Sequence, residues 1–214
     1  MEDVKNQIQQ ELGESPIFTS AKKGIGIQDL HGRITEILEK RGKDLLFLKI
    51  SRYREETVRV WINGASVTAF GIGLLPIPGS DIVPLTALQV GLAMKIAYVW
   101  NCKVTKKDVM QLVAATVTGS IGKQVFRWAL SLLKGAGGPA ISIIAGTIAA
   151  AVTYGFGWAS NAYYKSGMTM DIGDVQGVYE KYVGEKLKEK VDDLRGVVGN
   201  DAWKNLLGIF GKKG

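Results

Sequence analysis

The sequence predicts a mainly α protein, in which a small α/β segment is followed by an all-α domain built around a proline-rich helical hairpin. Three observations lead there. The first forty residues read as helix, strand, loop, helix. Apolar residues then recur at helical spacing through stretches with almost no charge. Three of the five prolines, Pro76, Pro78 and Pro84, fall together in the middle of that apolar region. Borders are expected after residues 43 and 167: an α/β segment at 1–43, an apolar helical domain at 44–167 and an amphipathic helical tail at 168–214.

At 214 residues, with 46% hydrophobic and 22% charged side chains, the chain is long and apolar enough for a good core, and disorder as its main state is excluded. The single cysteine, Cys102, excludes an internal disulfide and reads as a small buried hydrophobe suited to a reducing compartment. Net charge is +7. Residues 1–59 carry 11 basic and 10 acidic side chains, residues 60–164 carry 7 and 2, and residues 165–214 carry 9 and 8, so the excess sits in the apolar middle. Such a region favours a membrane surface or an acidic partner. Nucleic acid is not expected, because no run interleaves Lys or Arg with aromatics. Met1 is followed by the polar "EDVKNQIQQEL" rather than a secretory signal, so the expected location is cytoplasmic, peripheral at a membrane.

Val4, Ile8 and Leu12 suit a short helix stopped by Gly13. Pro16 can open a strand, and Ile17, Phe18 and Thr19 are strand formers. Gly24 and Gly26 supply a turn, after which Gln28–Leu38 returns to helical spacing, with lone His31 read as a polar surface residue. From Asp44 a long linking helix is expected, losing its polar face near Trp61; no charge appears between Arg59 and Asp81. Pro76 and Pro78 end that helix and Gly79 turns the chain. Asp81 reads as the N-cap of the next helix. Its carboxylate would take the Val83 N–H, and Pro84 would sit in the first turn, where a missing N–H costs nothing. That assigns Asp81 a structural role, with no His or second carboxylate nearby for catalysis.

The helix from Pro84 to Val99 sets Lys95 among apolar neighbours. Thr105 and Asp108 form a variant capping box ahead of the next helix. "GSIGKQ" at Gly119 to Gln124 is no phosphate loop, since it lacks the leading glycine and puts Gln124 where Ser or Thr would hold magnesium. Gly135–Tyr164 runs without charge and is long enough to span a bilayer, but Ala, Gly, Ser and Thr dominate it, which suits close packing between helices. In the tail, residues 174–196 form a mixed-charge amphipathic helix. Trp203, Leu206, Leu207 and Phe210 then follow a second helical face flanked by Lys212 and Lys213. That last helix either lies in a membrane interface or docks back onto the bundle.

Thr19-Ser20-Ala21-Lys22-Lys23-Gly24-Ile25-Gly26-Ile27, with Leu30, resembles the "SAK" loop of small translation-factor-type GTPases. The resemblance implies that Ser20, Ala21 and Lys22 belong to a loop that lies against a guanine base. The phosphate loop, the "DxxG" switch and the "NKxD" base reader of that family are not found upstream, so GTP would be a ligand only if another chain supplied them. "LLPIPGSDIVPLTALQVGLAMKIAYVWN" and "AAAVTYGFGWASNAYY" resemble the uncharacterised helical domain that follows the G domain in many bacterial GTPases. They are similar, more loosely, to the helical domain of interferon-inducible immunity GTPases. Together the two resemblances cover about residues 13–165. They imply the C-terminal part of a GTPase, the remnant of a G domain plus its helical domain, and association with membranes or self-assembly.

The expected function is therefore a non-catalytic helical module of a GTPase-related protein, without catalytic residues, metal or cofactor, attached to a membrane surface or partner and coupled to a G domain. Two alternatives stand beside it: a membrane-inserting or pore-forming helical protein, and one half of a split GTPase whose upstream G-domain chain is a partner.

Overall fold

The computed structural model describes residues 2–13, 15–74, 82–117 and 139–189. Most of these are helical and none forms a strand, so the mainly α expectation holds. The chain divides into two compact units, Met1–Glu55 and Glu56–Gly214. The division falls in the first turn of a helix rather than at the borders expected after residues 43 and 167.

In the first unit α1 (Glu2–Leu12) ends as expected at Gly13, whose φ of +71° closes the helix with its N–H on the Gln9 carbonyl. The expected strand at Pro16–Thr19 does not form. Strand formers need a neighbouring strand to take up their backbone groups, and the described residues offer only an isolated bridge between Ser20 and Ile25. α2 (Ile27–Glu39) packs on α3 (Asp44–Ile50).

The expected single linking helix is two helices. α3 stops at Ile50, and Ser51 is extended, with φ −78° and ψ 137°. Buried Ser51 accepts the Tyr53 N–H on its Oγ at 3.1 Å and bonds His31 Nε2 at 2.6 Å, while His31 lies against the Phe47 and Tyr53 rings. His31 is thus half-buried structure, not a surface residue. A side chain twenty positions upstream breaks a helix that local spacing would continue.

The second unit is built on the long helix α7 (Pro139–Lys165), together with α4 (Arg54–Gly73), α5 (Ile82–Val99), α6 (Lys106–Val117) and α8 (Ile172–Glu189). α4 runs antiparallel to α7: Ile62 meets Gly157, Ser66 meets Ala150 and Phe70 meets Gly146. α5 runs parallel to it, from Gln89 beside Thr153 to Trp100 beside Asn161. α8 returns antiparallel on another face of α7, pressing Tyr179 and Val183 onto Gly155.

Small residues make these approaches possible. A Cβ on Gly146 would lie 2.9 Å from the Phe70 carbonyl oxygen, and one on Gly157 would lie 2.8 Å from Ile62 Cγ1. Two buried polar groups bond across this seam: Ser66 Oγ donates to the Ala150 carbonyl at 3.0 Å, and Gln89 Nε2 donates to Thr153 Oγ1 at 3.2 Å, while Ser160 Oγ of α7 is buried without a partner among the described residues.

At the start of α6 the expected capping box is present. The Thr105 N–H and hydroxyl both reach Asp108 Oδ2 at 2.8 Å, and the Asp108 N–H reaches back to Thr105 Oγ1. These bonds hold the Asp108 carboxyl below its ordinary value.

Two predictions follow from this packing. Gly146→Ala should cost about 1–3 kcal/mol in urea unfolding, because α4 backbone stands in the way. Gly91→Ala, on a helical glycine with nothing within 4 Å of its missing Cβ, should instead gain about 0.5–1 kcal/mol. A depressed carboxyl stabilises above its unfolded value and stops doing so as pH falls through its folded one. The melting-temperature deficit of Asp108→Ala should therefore be full at neutrality and vanish well below 3.8, the ordinary value.

Candidate interaction face

Nearly every residue of α4 beyond Arg59 is apolar, small or uncharged, so composition alone does not say which side turns inward. Val58, Ile62, Ala65, Ser66, Ala69 and Gly73 are buried. That leaves Val60, Gly64, Val67 and Gly71 outward, with Val60 67% and Val67 73% exposed. α5 repeats the arrangement: Leu92, Ala93, Ile96 and Ala97 are buried, whereas Val83, 77% exposed, Ala87, Gly91 and Met94 face out. No atom lies within 4 Å of where a Cβ would stand on Gly64, Gly71 or Gly91. These three helical glycines therefore weaken their helices with no close neighbour to accommodate.

Charge on this side of the unit is mainly positive, with exposed Glu56 one turn before Val60 on α4 as the exception. Beyond Glu56, helices α4, α5 and α7 contain no carboxylate, and their cations are Arg59, Lys95 and Lys165. The Lys95 ammonium lies 5.2 Å from the centre of the Trp61 ring, and that of Lys165 lies 5.8 Å from the centre of Trp100. Trp100 is held by its own Nε1 donating to buried Asn161 Oδ1 at 2.8 Å. The chain turns there because Asn101 takes a left-handed φ of +60° and the Cys102 N–H returns to the Ala97 carbonyl. Both cation–ring pairs sit toward the end of the bundle where α4 begins and α5 and α7 finish.

The other side differs. α8 carries Asp174, Glu180, Glu185 and Glu189 among Lys181, Lys186 and Lys188, with Lys186 paired to Glu189 at 2.9 Å. Its inner side stacks Tyr182 on Trp158 of α7, ring centres 4.9 Å apart.

The expected site residues are distributed as follows. Ser20, Ala21 and Lys22 form a tight turn: the Ser20 N–H donates to the Ile25 carbonyl, and the Lys23 N–H reaches Ser20 Oγ at 3.3 Å. Gly24 and Gly26 both have φ +67°, and Gly26 lies directly under the Phe18 carbonyl. Pro84 is the third residue of α5, as expected. Pro76, Pro78 and Asp81 of the hairpin, and Trp203, Leu206, Leu207, Phe210, Lys212 and Lys213 of the tail, lie outside the described residues. Sequence reasoning missed the Trp61–Lys95 and Trp100–Lys165 pairs; tryptophan near lone lysines at helix ends is the signal that could have found them. It also missed the Ser51–His31 bond, for which local spacing carries no signal.

Among the described residues no three His, Cys, Asp or Glu side chains gather as a metal site would require. α7 is the one described helix long and apolar enough to cross a membrane, by length and composition, over Ile141–Lys165 with half of that window buried. Cys102 is half-buried, its Sγ 3.4 Å from the Tyr164 carbonyl, and burial raises its thiol above the ordinary value. Alkylation of Cys102 at mildly alkaline pH should accordingly be slower in the folded chain than in urea; equal rates would show an open thiol.

Comparison with protein-family models, with curated proteins and with solved structures finds no match.

Proposed function

We propose that this chain is a non-catalytic helical module of a GTPase-related protein that attaches to an anionic membrane surface. The observation that carries the reading is the outward side of α4 and α5, apolar and free of carboxylates beyond Glu56. Apolar area supplies the attraction to lipid, and exposed Arg59 and Lys95 add an electrostatic one. The turn at Ser20–Gly26 holds Gly24 and Gly26 at positive φ, which glycine adopts readily and other residues do not. In this reading it is a remnant of a guanine loop, and GTP enters only with a partner chain that supplies the phosphate loop.

Insertion through α7 is a second reading, favoured by the length of that helix. Against it stands α8, which packs its inner side along the C-terminal half of α7 and carries charges on its outer side. Placing those charges in hydrocarbon would cost several kcal/mol.

Flotation tests the proposal. The chain should rise with vesicles containing phosphatidylglycerol at low salt and less at high salt, where screening shortens the reach of its cations. Val67→Glu should lower the apparent affinity roughly tenfold, the value of losing one buried valine side chain. A chain that stays at the bottom at low salt would overturn the reading.

A further inference from the structure

If the membrane reading holds, the second unit has a defined orientation, and the observations fix which side meets lipid. We propose that the outer face of α4 and α5 lies flat on one leaflet of anionic phospholipid. Val60, Val67 and Val83 enter the acyl-chain boundary, Lys95 over Trp61 sits at the headgroup phosphates, and α8 faces water.

Charge complementarity selects the side. Within the second unit, the described carboxylates beyond Glu56 are Asp108 on α6, Asp171 before α8, and the four acids of α8. Those six acids are balanced by Lys103, Lys106, Lys107, Lys181, Lys186 and Lys188, so that side gives an anionic surface no net attraction, whereas on α4 and α5 beyond Glu56 the charges are Arg59 and Lys95 alone. Shape agrees with charge. Val60 and Val67 stand seven residues apart on α4, about 10 Å along the helix, and outward Gly64 between them leaves a low ridge that shallow contact with lipid covers.

Lys95 and Trp61 set the depth. Lysine stems run along apolar surface while the ammonium reaches the interface, and indole rings prefer that same level. With Lys95 Nζ 5.2 Å from the Trp61 ring centre, cation and indole sit together, a pair suited to a phosphodiester headgroup. Flat contact also explains why α7 need not span. Surrounding it with lipid would require α8 to leave, stripping the cover from buried Tyr179 and Val183.

Site-specific labelling of the full chain tests this orientation. In a Cys102→Ser background, single cysteines at Val67, Val83 and Lys181 each receive an environment-sensitive fluorophore, and vesicles of phosphatidylcholine and phosphatidylglycerol carry brominated acyl chains. The expected result is quenching at positions 67 and 83 and none at 181, with Lys95→Gln weakening vesicle binding about fivefold and Lys181→Gln leaving it unchanged. Flotation together with an unquenched label at 67 would overturn the orientation and leave the membrane reading standing. Quenching at all three positions would mean insertion instead. Shielding of the label at 67 without lipid, with a dimer in sedimentation, would assign the face to a second copy of the chain. Absence of flotation would remove both this inference and the function it rests on.

Discussion

The close approach of α4 and α5 to the small-residue side of α7 is the constraint on which the second unit depends. At Gly146 and Gly157 the neighbouring helix stands where a Cβ would be. Helices that near one another bury backbone against backbone, and dispersion between well-packed atoms replaces the large side chains that a looser interface would need. The same proximity brings polar groups within reach. Ser66 finds the Ala150 carbonyl, Gln89 finds Thr153 and Trp100 finds Asn161, whereas Trp158 Nε1 and Ser160 Oγ of the same central helix are buried without a hydrogen-bond partner among the described residues.

Once that seam is chosen, the rest of the surface is determined. α4 and α5 turn their remaining apolar residues outward, because an apolar helix with one side taken has nowhere else to put them. α8 covers a different side of α7 at Gly155 and brings acids with it, while the α4–α5 side keeps only cations beyond Glu56. Among the described residues, the second unit thus has a mixed-charge side at α8 and a more apolar side at α4 and α5, whose charges beyond Glu56 are cationic. That asymmetry is physical whatever the biological partner, and it is what connects packing to the proposed role at an anionic surface.

The first unit works by a different logic, with local hydrogen bonds doing what a large core does elsewhere. No residue of α2 is fully buried, and its shape comes from the Ser20–Ile25 bridge, the glycines of the turn and the bonds of Ser51. Ser51 shows how one hydroxyl decides a backbone path. By accepting the Tyr53 N–H and bonding His31, it offers the chain an alternative to helix at a position where spacing favours continuation.

The sequence by itself determined helix identity and several helix ends, because those depend on residues three or four positions apart: the stop at Gly13, the box between Thr105 and Asp108, and the start of α5 in the residues just before Pro84. It also determined that the middle of the chain is apolar and basic. Only the tertiary structure decided which side of α4 is buried, since a helix apolar all round has no periodic signal to favour Ile62 over Val60. The missing strand at Ile17–Thr19 and the break at Ser51 were decided there too. A strand exists only beside another strand, and at Ser51 the local bond from the Tyr53 N–H is joined by one to His31 that only folding supplies. Local chemistry selects the elements; contacts between residues far apart in the chain select the faces they show.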